Sequence, residues 1–269
     1  MIIIGEKINA SIPSTGEAIR RRDTEFLARL ARDQDEAGAD FIDVNAGDSR
    51  DADSSPADIM RWLVGVVREA TTKPLCIDSD DPAVLQAGID ACRGEEVLIN
   101  SVSAEEDRLR EVGRIARRAG ARVIALVMRD RGIPRTVKER LEAADVIVGA
   151  FARLGLAEEQ ILFDPLVLPA SVDASQAGVT LRTIESLKER YPAAGTVMGL
   201  SNISYGLPAR GIVNRSFLLM AAAVGLDAAI LNPLDRRLMS LVTTADLLTG
   251  RDPRCKRFTK AFRRGDLVE

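Results

Sequence analysis

The chain has 269 residues, 46% of them apolar, and its 37 Lys and Arg against 40 Asp and Glu leave a net charge of −3. That balance, with no basic stripe interleaved with aromatics, argues against nucleic-acid binding. No apolar run approaches the roughly 20 residues of a membrane span, and the scattered Cys76, Cys92 and Cys255 make neither a disulfide framework nor a CxxC site. There is no histidine, which removes His-based triads, His-ligated zinc and an imidazole general base. Any metal then needs carboxylates, and no clustered pair demands one.

The first segment, MIIIGEKIN, lacks a basic n-region and a small-residue cleavage site, so it reads as a strand and not as a signal peptide. A soluble cytoplasmic protein is expected. Short apolar β-type runs follow at 2–4, 41–44, 75–77, 97–99, 123–128, 161–163, 197–200 and 228–231. Their centres lie roughly 20 to 40 residues apart, room for one crossover helix each time. Between the first two runs, Phe26, Leu27, Leu30, Ala31, Gln34 and Ala37 share one helical face, with Arg29, Arg32, Asp33 and Glu36 opposite. Ile59, Trp62, Leu63 and Val66 repeat the pattern after the second run. Gly38 and Gly120 stand where helix C-caps belong, just before the next strand. Eight β-then-α units predict an α/β fold, a single (β/α)8 TIM barrel over residues 1–269. The alternative is a doubly wound open sheet, but no GxGxxG or GxxxxGKS loop follows an early strand.

In such a barrel the active site forms at the C-terminal strand ends. Here the ends carry Glu6, Lys7 and Asn9; Asp43 and Asn45; Asp78 and Ser79; Asn100 and Ser101; Met128, Arg129 and Asp130; Asp164; Ser201 and Asn202; and Asn232. Any one Asp or Asn, taken alone, reads as a loop residue bonding its own backbone. Together they put carboxylates and amides around one mouth. Carboxylates accept from ring N–H and amino groups, and amides both donate and accept, so the set suits the edge of a flat heterocycle. The pair Ser201-Asn202 ends an apolar run with no helical period of its own behind it.

The segments IIGEKIN, GADFIDVNAG, PLCIDS, LINSVSAE, GIP at 132–134, FDPLVLPA, GLSNISYGLP, NRSFLLMA and GLDAAI carry a resemblance that spans essentially the whole chain. It resembles the methyltetrahydrofolate:corrinoid protein methyltransferases, within the pterin-binding barrel superfamily that includes dihydropteroate synthase and the folate domain of cobalamin-dependent methionine synthase. The resemblance implies that Asp78, Asn100 and Asp164 hold the pterin and that Asn202 contacts N5, the nitrogen carrying the methyl group. It also implies that Met128, Gly199, Ser201 and Arg210 line the site. Tyr205 stands where that family often has another residue. The implied substrate is methyltetrahydrofolate or tetrahydrofolate. The implied second reactant is a cobalamin carried by a separate corrinoid protein and not held by this chain, and the implied assembly is a homodimer.

The remaining features have plainer readings. The acidic loop AGDSRDADSSPAD at 46–58 reads as a solvated loop, with a lid or docking edge as the alternative. The basic tail at 251–266 reads as a solvated terminal helix, with docking of an acidic partner as the alternative. Cys76 reads as core packing. A Schiff-base role for Lys7 lacks a recognisable acid–base partner. Two rival functions stand beside methyl transfer. A dihydropteroate synthase typically carries an INDVSG-type segment and an Arg-x-His, where this chain has INSVSAE and no histidine. A non-catalytic folate-binding or corrinoid-docking subunit is the other.

Overall fold

The alternation of apolar runs and amphipathic stretches is realised as eight strands closed into a barrel. They are β1 (Ile2–Asn9), β2 (Phe41–Asn45), β3 (Leu75–Asp78), β4 (Val97–Val102), β5 (Arg122–Leu126), β6 (Ile161–Asp164), β7 (Gly195–Gly199) and β8 (Ala228–Leu231), which pair in that order and close from β8 to β1. All eight pairings are parallel. The open-sheet alternative therefore falls. The computed structural model describes residues 1–47, 54–129 and 132–268. Asp130 and the middle of the acidic loop, 48–53, lie outside the described residues.

Helices α1 (Pro13–Arg20) and α2 (Thr24–Glu36) follow β1, and α3 (Pro56–Ala70), α4 (Pro82–Ala91), α5 (Glu106–Ala119), α6 (Val137–Arg153), α7 (Ser175–Arg190), α8 (Arg210–Ala223) and α9 (Arg236–Leu248) follow the later strands in turn. Short polar side chains set several of their starts. The Asp23 carboxylate accepts from Phe26 N–H at 3.0 Å, and Ser55 with Asp58, and Thr136 with Glu139, form reciprocal capping boxes. Each such cap contributes about 1 kcal/mol. Gly120 ends α5 at φ 63°, a left-handed conformation that suits glycine. The expected helical faces are realised: α2 buries Leu27, Ala31 and Gln34, and α3 buries Ile59, Leu63 and Val66. The basic tail forms α10 (Lys256–Arg264), which buries none of its residues, as its charge predicts.

Two apolar layers result. One lies between barrel and helices. The other fills the lumen with Ile4, Phe41, Cys76, Leu98, Ile124, Leu162, Val197 and Ala228, one residue from each strand. Cys76 is fully buried there, as expected of a packing residue. Because strand side chains alternate, the residue two further on shares the same face. Those residues are Glu6, Asp43, Asp78, Asn100, Leu126, Asp164, Gly199 and Ile230. An apolar floor is thus capped by a mostly polar layer at the C-terminal end.

Several strand boundaries differ from the sequence reading, and β4 extends to Val102 where the run ends at 99. β1 runs on to Asn9, with a register irregularity between Gly5 and Ile8. The 123–128 run stops as a strand at Leu126, although Met128 O still accepts from Ala104 N–H at 2.8 Å. β7 stops at Gly199, and Leu200–Ser204 form a 3-10 turn. Ser201 and Asn202 are therefore not a bare strand end. A turn of five residues is too short to impress a period on the sequence.

Candidate active site

The polar layer is knitted together by side chains from different strands. Asn45 Nδ2 donates to Asp78 Oδ2 at 2.7 Å, and Asn100 Nδ2 donates to Asp43 Oδ1 at 3.2 Å. Across the barrel Ser201 Oγ donates to Glu6 Oε1 at 2.9 Å. Asp164 Oδ1 accepts from Leu166 N–H at 2.7 Å; among the described residues, no group donates to its other oxygen. The tips of β3, β4 and β6 thus bring Asp78, Asn100 and Asp164 to one end of the lumen, as the sequence predicts, with Gly199 on the same face.

Burial dominates the electrostatics here, since it penalises a bare carboxylate. It raises Asp78 from the ordinary 3.8 to about 6, aided by the charge of Asp80 and opposed by the Asn45 hydrogen bond. Asp164 also rises to about 6, with the Leu166 N–H and the charge of Arg140 working against burial. Asp43 is only 2% exposed; burial and the neighbouring Asp78 push its carboxyl well above the usual range. Glu6 is raised by burial against the pull of Ser201, Lys7 and Arg210. At neutral pH the mouth therefore presents Asp78 and Asp164 as anions above a carboxyl, that of Asp43, that resists ionisation. Among the described residues, no group of three or more Cys, Asp and Glu side chains is arranged to hold a metal ion.

The turn that carries Asn202 is clamped from both sides. Glu6 holds the Ser201 hydroxyl. Arg210 Nη2 donates to Ser201 O at 2.9 Å and its Nε to Ser204 Oγ at 3.0 Å. Tyr205 N–H closes the turn onto Asn202 O at 3.1 Å. The Asn202 amide lies over Gly199, where a Cβ would stand 3.0 Å from Nδ2. Asn202 and Arg210 are exposed at the lip, and Met128 is half-buried beyond β5. Of the predicted lining residues, Ser201 and Arg210 thus spend their polar groups on holding the turn. Tyr205 is exposed.

The sequence reading noted Glu6, Asp43 and Asn45 at strand ends without assigning them to the site. Their signal is the period of two: each stands two or four residues beyond a lumen residue, Ile4 or Phe41. Arg140 was missed altogether. It is fully buried on α6, on the stripe formed with Ala143, Ala144, Ile147 and Phe151. A lone charge on an apolar helical stripe was its trace.

Residues 5–232 match the protein family described as pterin-binding enzymes. The chain is 36% identical over 269 residues to a methylcorrinoid:tetrahydrofolate methyltransferase of Eubacterium limosum, covering 99% of this chain and 98% of that protein. It is 33% identical over 248 residues to a methionine synthase of Mycobacterium leprae, covering 86% of this chain but 20% of that much longer protein. Among solved structures, a dihydropteroate synthase from Coxiella burnetii in complex with pteroic acid superposes with a TM-score of 0.70 at 13% identity, covering 93% of this chain and 94% of that one. At that identity the likeness speaks for the fold alone.

Proposed function

The chain belongs to the family of pterin-binding enzymes, and from that premise we propose that it is a methyltransferase, moving the N5-methyl group between methyltetrahydrofolate and the cobalt of a corrinoid carried by a separate protein. The full-length similarity to a methylcorrinoid:tetrahydrofolate methyltransferase supports this choice over the dihydropteroate synthase reading. The observation that carries the mechanism is the placement of Asn202, a neutral amide exposed at the lip, with the carboxyls of Asp78 and Asp164 in the polar layer behind it.

Asp78 and the free oxygen of Asp164 accept from the N–H and amino groups along the pterin edge, and Asn100 supplies an amide between them. The N5 of a tertiary amine is a poor leaving group, so methyl transfer needs positive charge to build there. Nearby carboxylates favour that charge. Asn202 keeps a neutral amide oxygen that accepts whatever the pH. As N5 takes a proton, Oδ1 of Asn202 accepts from the N5–H, and that bond strengthens as positive charge develops, which lowers the barrier more than it tightens binding. Loss of one such preorganised hydrogen-bond partner typically costs about 3–4 kcal/mol, a factor of 10²–10³ in rate. The corrinoid supplies the other methyl-carrying atom at the open lip. The same groups serve both directions of transfer.

Anaerobic mixing of the protein with methyltetrahydrofolate and free Co(I) cobalamin tests the reading. Protein-dependent loss of the Co(I) absorbance with methylcobalamin appearing is expected, and Asn202→Ala is expected to slow it 10²–10³-fold. Turnover of Asn202→Ala within about threefold of wild type removes the proposed role of the amide. Tight tetrahydrofolate binding with no turnover, even with a corrinoid protein, identifies a non-catalytic folate-binding subunit instead.

A further inference from the structure

Arg140 is the largest fully buried side chain in the molecule as described, and no carboxylate lies in salt-bridge contact with it. Its fork is spent on neutral acceptors: Nε on Pro134 O, Nη1 on Thr180 Oγ1 and Nη2 on Gln176 Oε1, each at 3.2 Å. A guanidinium taken out of water for three neutral hydrogen bonds is costly unless its charge is used elsewhere. The bonds lead towards the mouth. Thr180 Oγ1, which accepts from Arg140, donates to Leu166 O at 3.0 Å. Leu166 N–H in turn donates to Asp164 Oδ1 at 2.7 Å. Leu166 has φ 66°, a conformation that a branched residue adopts only when its surroundings hold it there. Here both faces of its peptide environment are held, one by Asp164 and one by Thr180.

We propose that Arg140, itself outside the mouth, is the positioning residue for Asp164: through Thr180 and the Leu166 backbone it fixes where the carboxylate points, and across the intervening space it supplies the positive charge that keeps Asp164 an acceptor for the pterin. The second half of this statement rests on the pterin reading given above. The first half does not. Burial alone drives Asp164 towards neutrality, and a neutral carboxyl turns an acceptor into a donor facing donors. The charge of Arg140 is the favourable long-range influence on it. The other charged residues on the flanking elements are Arg129 and Arg135 ahead of α6, Glu139 beside Arg140 and Asp173 ahead of α7, with Glu6, Asp43 and Asp78 on the other lumen strands. Arg135 is paired with Asp173 at 3.4 Å, and the Glu139 carboxylate accepts from the Thr136 hydroxyl at 2.8 Å and its N–H at 3.0 Å.

The test uses Arg140→Gln, which keeps hydrogen bonding and removes the charge; Arg140→Lys, which keeps the charge; and Thr180→Val, which cuts the relay. Two measurements are made: the 13C carboxyl titration of Asp164 in the ligand-free protein, assigned by its loss in Asp164→Asn, and tetrahydrofolate affinity from pH 5.5 to 9. Arg140→Gln is expected to move the Asp164 titration to higher pH, to weaken tetrahydrofolate binding about twofold or more at pH 7, and to regain affinity as pH rises. Arg140→Lys restores the titration. Thr180→Val weakens binding at every pH without moving the titration. In the Asp164→Asn background the pH-dependent part of the Arg140→Gln effect vanishes. An Asp164 titration that is the same in wild type and in both Arg140 variants overturns the proposal, as does an Arg140→Gln effect unchanged by Asp164→Asn. If Arg140→Gln does not fold, Arg140→Lys and Thr180→Val decide: a relay requires Thr180→Val to lose affinity, and unchanged affinity overturns it. Failure of wild type to bind tetrahydrofolate strikes the pterin reading, while the ligand-free titration still judges the Arg140–Asp164 coupling.

Discussion

Replacing Asp78 by asparagine asks whether the mouth holds a carboxylate that the fold by itself disfavours. Burial raises the Asp78 carboxyl from 3.8 to about 6. A raised value in the folded state means that folding favours the protonated form. The stability tied to this group is therefore complete below the unfolded value, near 3.9, and is lost as pH rises through about 6. A gap of about two pH units corresponds to at most about 3 kcal/mol. Asp78 is half-buried at the rim, and solvent screening there brings the expectation to about 1–2 kcal/mol. The amide preserves shape, and its oxygen still accepts from Asn45 Nδ2, the bond that measures 2.7 Å in wild type. Repulsion with Asp80 is removed at the same time. Asp78→Asn is thus expected to be more stable than wild type by about 1–2 kcal/mol at pH 8, or about 2–8 °C in Tm, with the advantage shrinking towards zero at pH 4. Urea unfolding at pH 4, 6 and 8 measures it, and calorimetry alongside is expected to show weaker tetrahydrofolate binding. A variant no more stable than wild type at pH 8, or a gain of the same size at every pH, refutes the argument.

Asp43→Asn provides the contrast. Burial and the neighbouring Asp78 already push that carboxyl well towards its neutral form, so the substitution is expected to change stability by less than about 1 kcal/mol, with a weaker pH trend than Asp78→Asn; a pH-dependent gain as large as that of Asp78→Asn contradicts it. Removing either side of the Glu6–Ser201 bond, by Glu6→Ala or Ser201→Ala, loosens the turn under Asn202. Misplacement of that kind costs about 10–100-fold in rate, so kcat should fall while tetrahydrofolate affinity stays nearly constant, and a loss confined to affinity speaks against the clamp. Gly199→Ala places a methyl 3.0 Å from Asn202 Nδ2. It should lower kcat in wild type yet add little in the Asn202→Ala background, because the two changes act on one group; fully additive losses deny that they do.

The eight apolar runs, their spacing and the glycines before the strands determined the barrel, because burial of alternating faces is a local pattern that short windows of sequence record. The same period placed Asp78, Asn100 and Asp164 at one rim. Asp43, two residues beyond Phe41, and Glu6, two beyond Ile4, were equally legible in principle. What the chain's order does not encode is who meets whom across the lumen. Ser201 reaches Glu6 over 195 residues of sequence, Asn100 reaches Asp43 over 57, and Arg140 acts on Asp164 through Thr180 and Leu166. Desolvation follows the same rule: an aspartate at a strand end reads alike whether it is solvated or raised to about 6, as Asp78 and Asp164 are. Closure of the barrel decides that, because only when eight strands surround a carboxylate does the water that stabilises its charge have to leave.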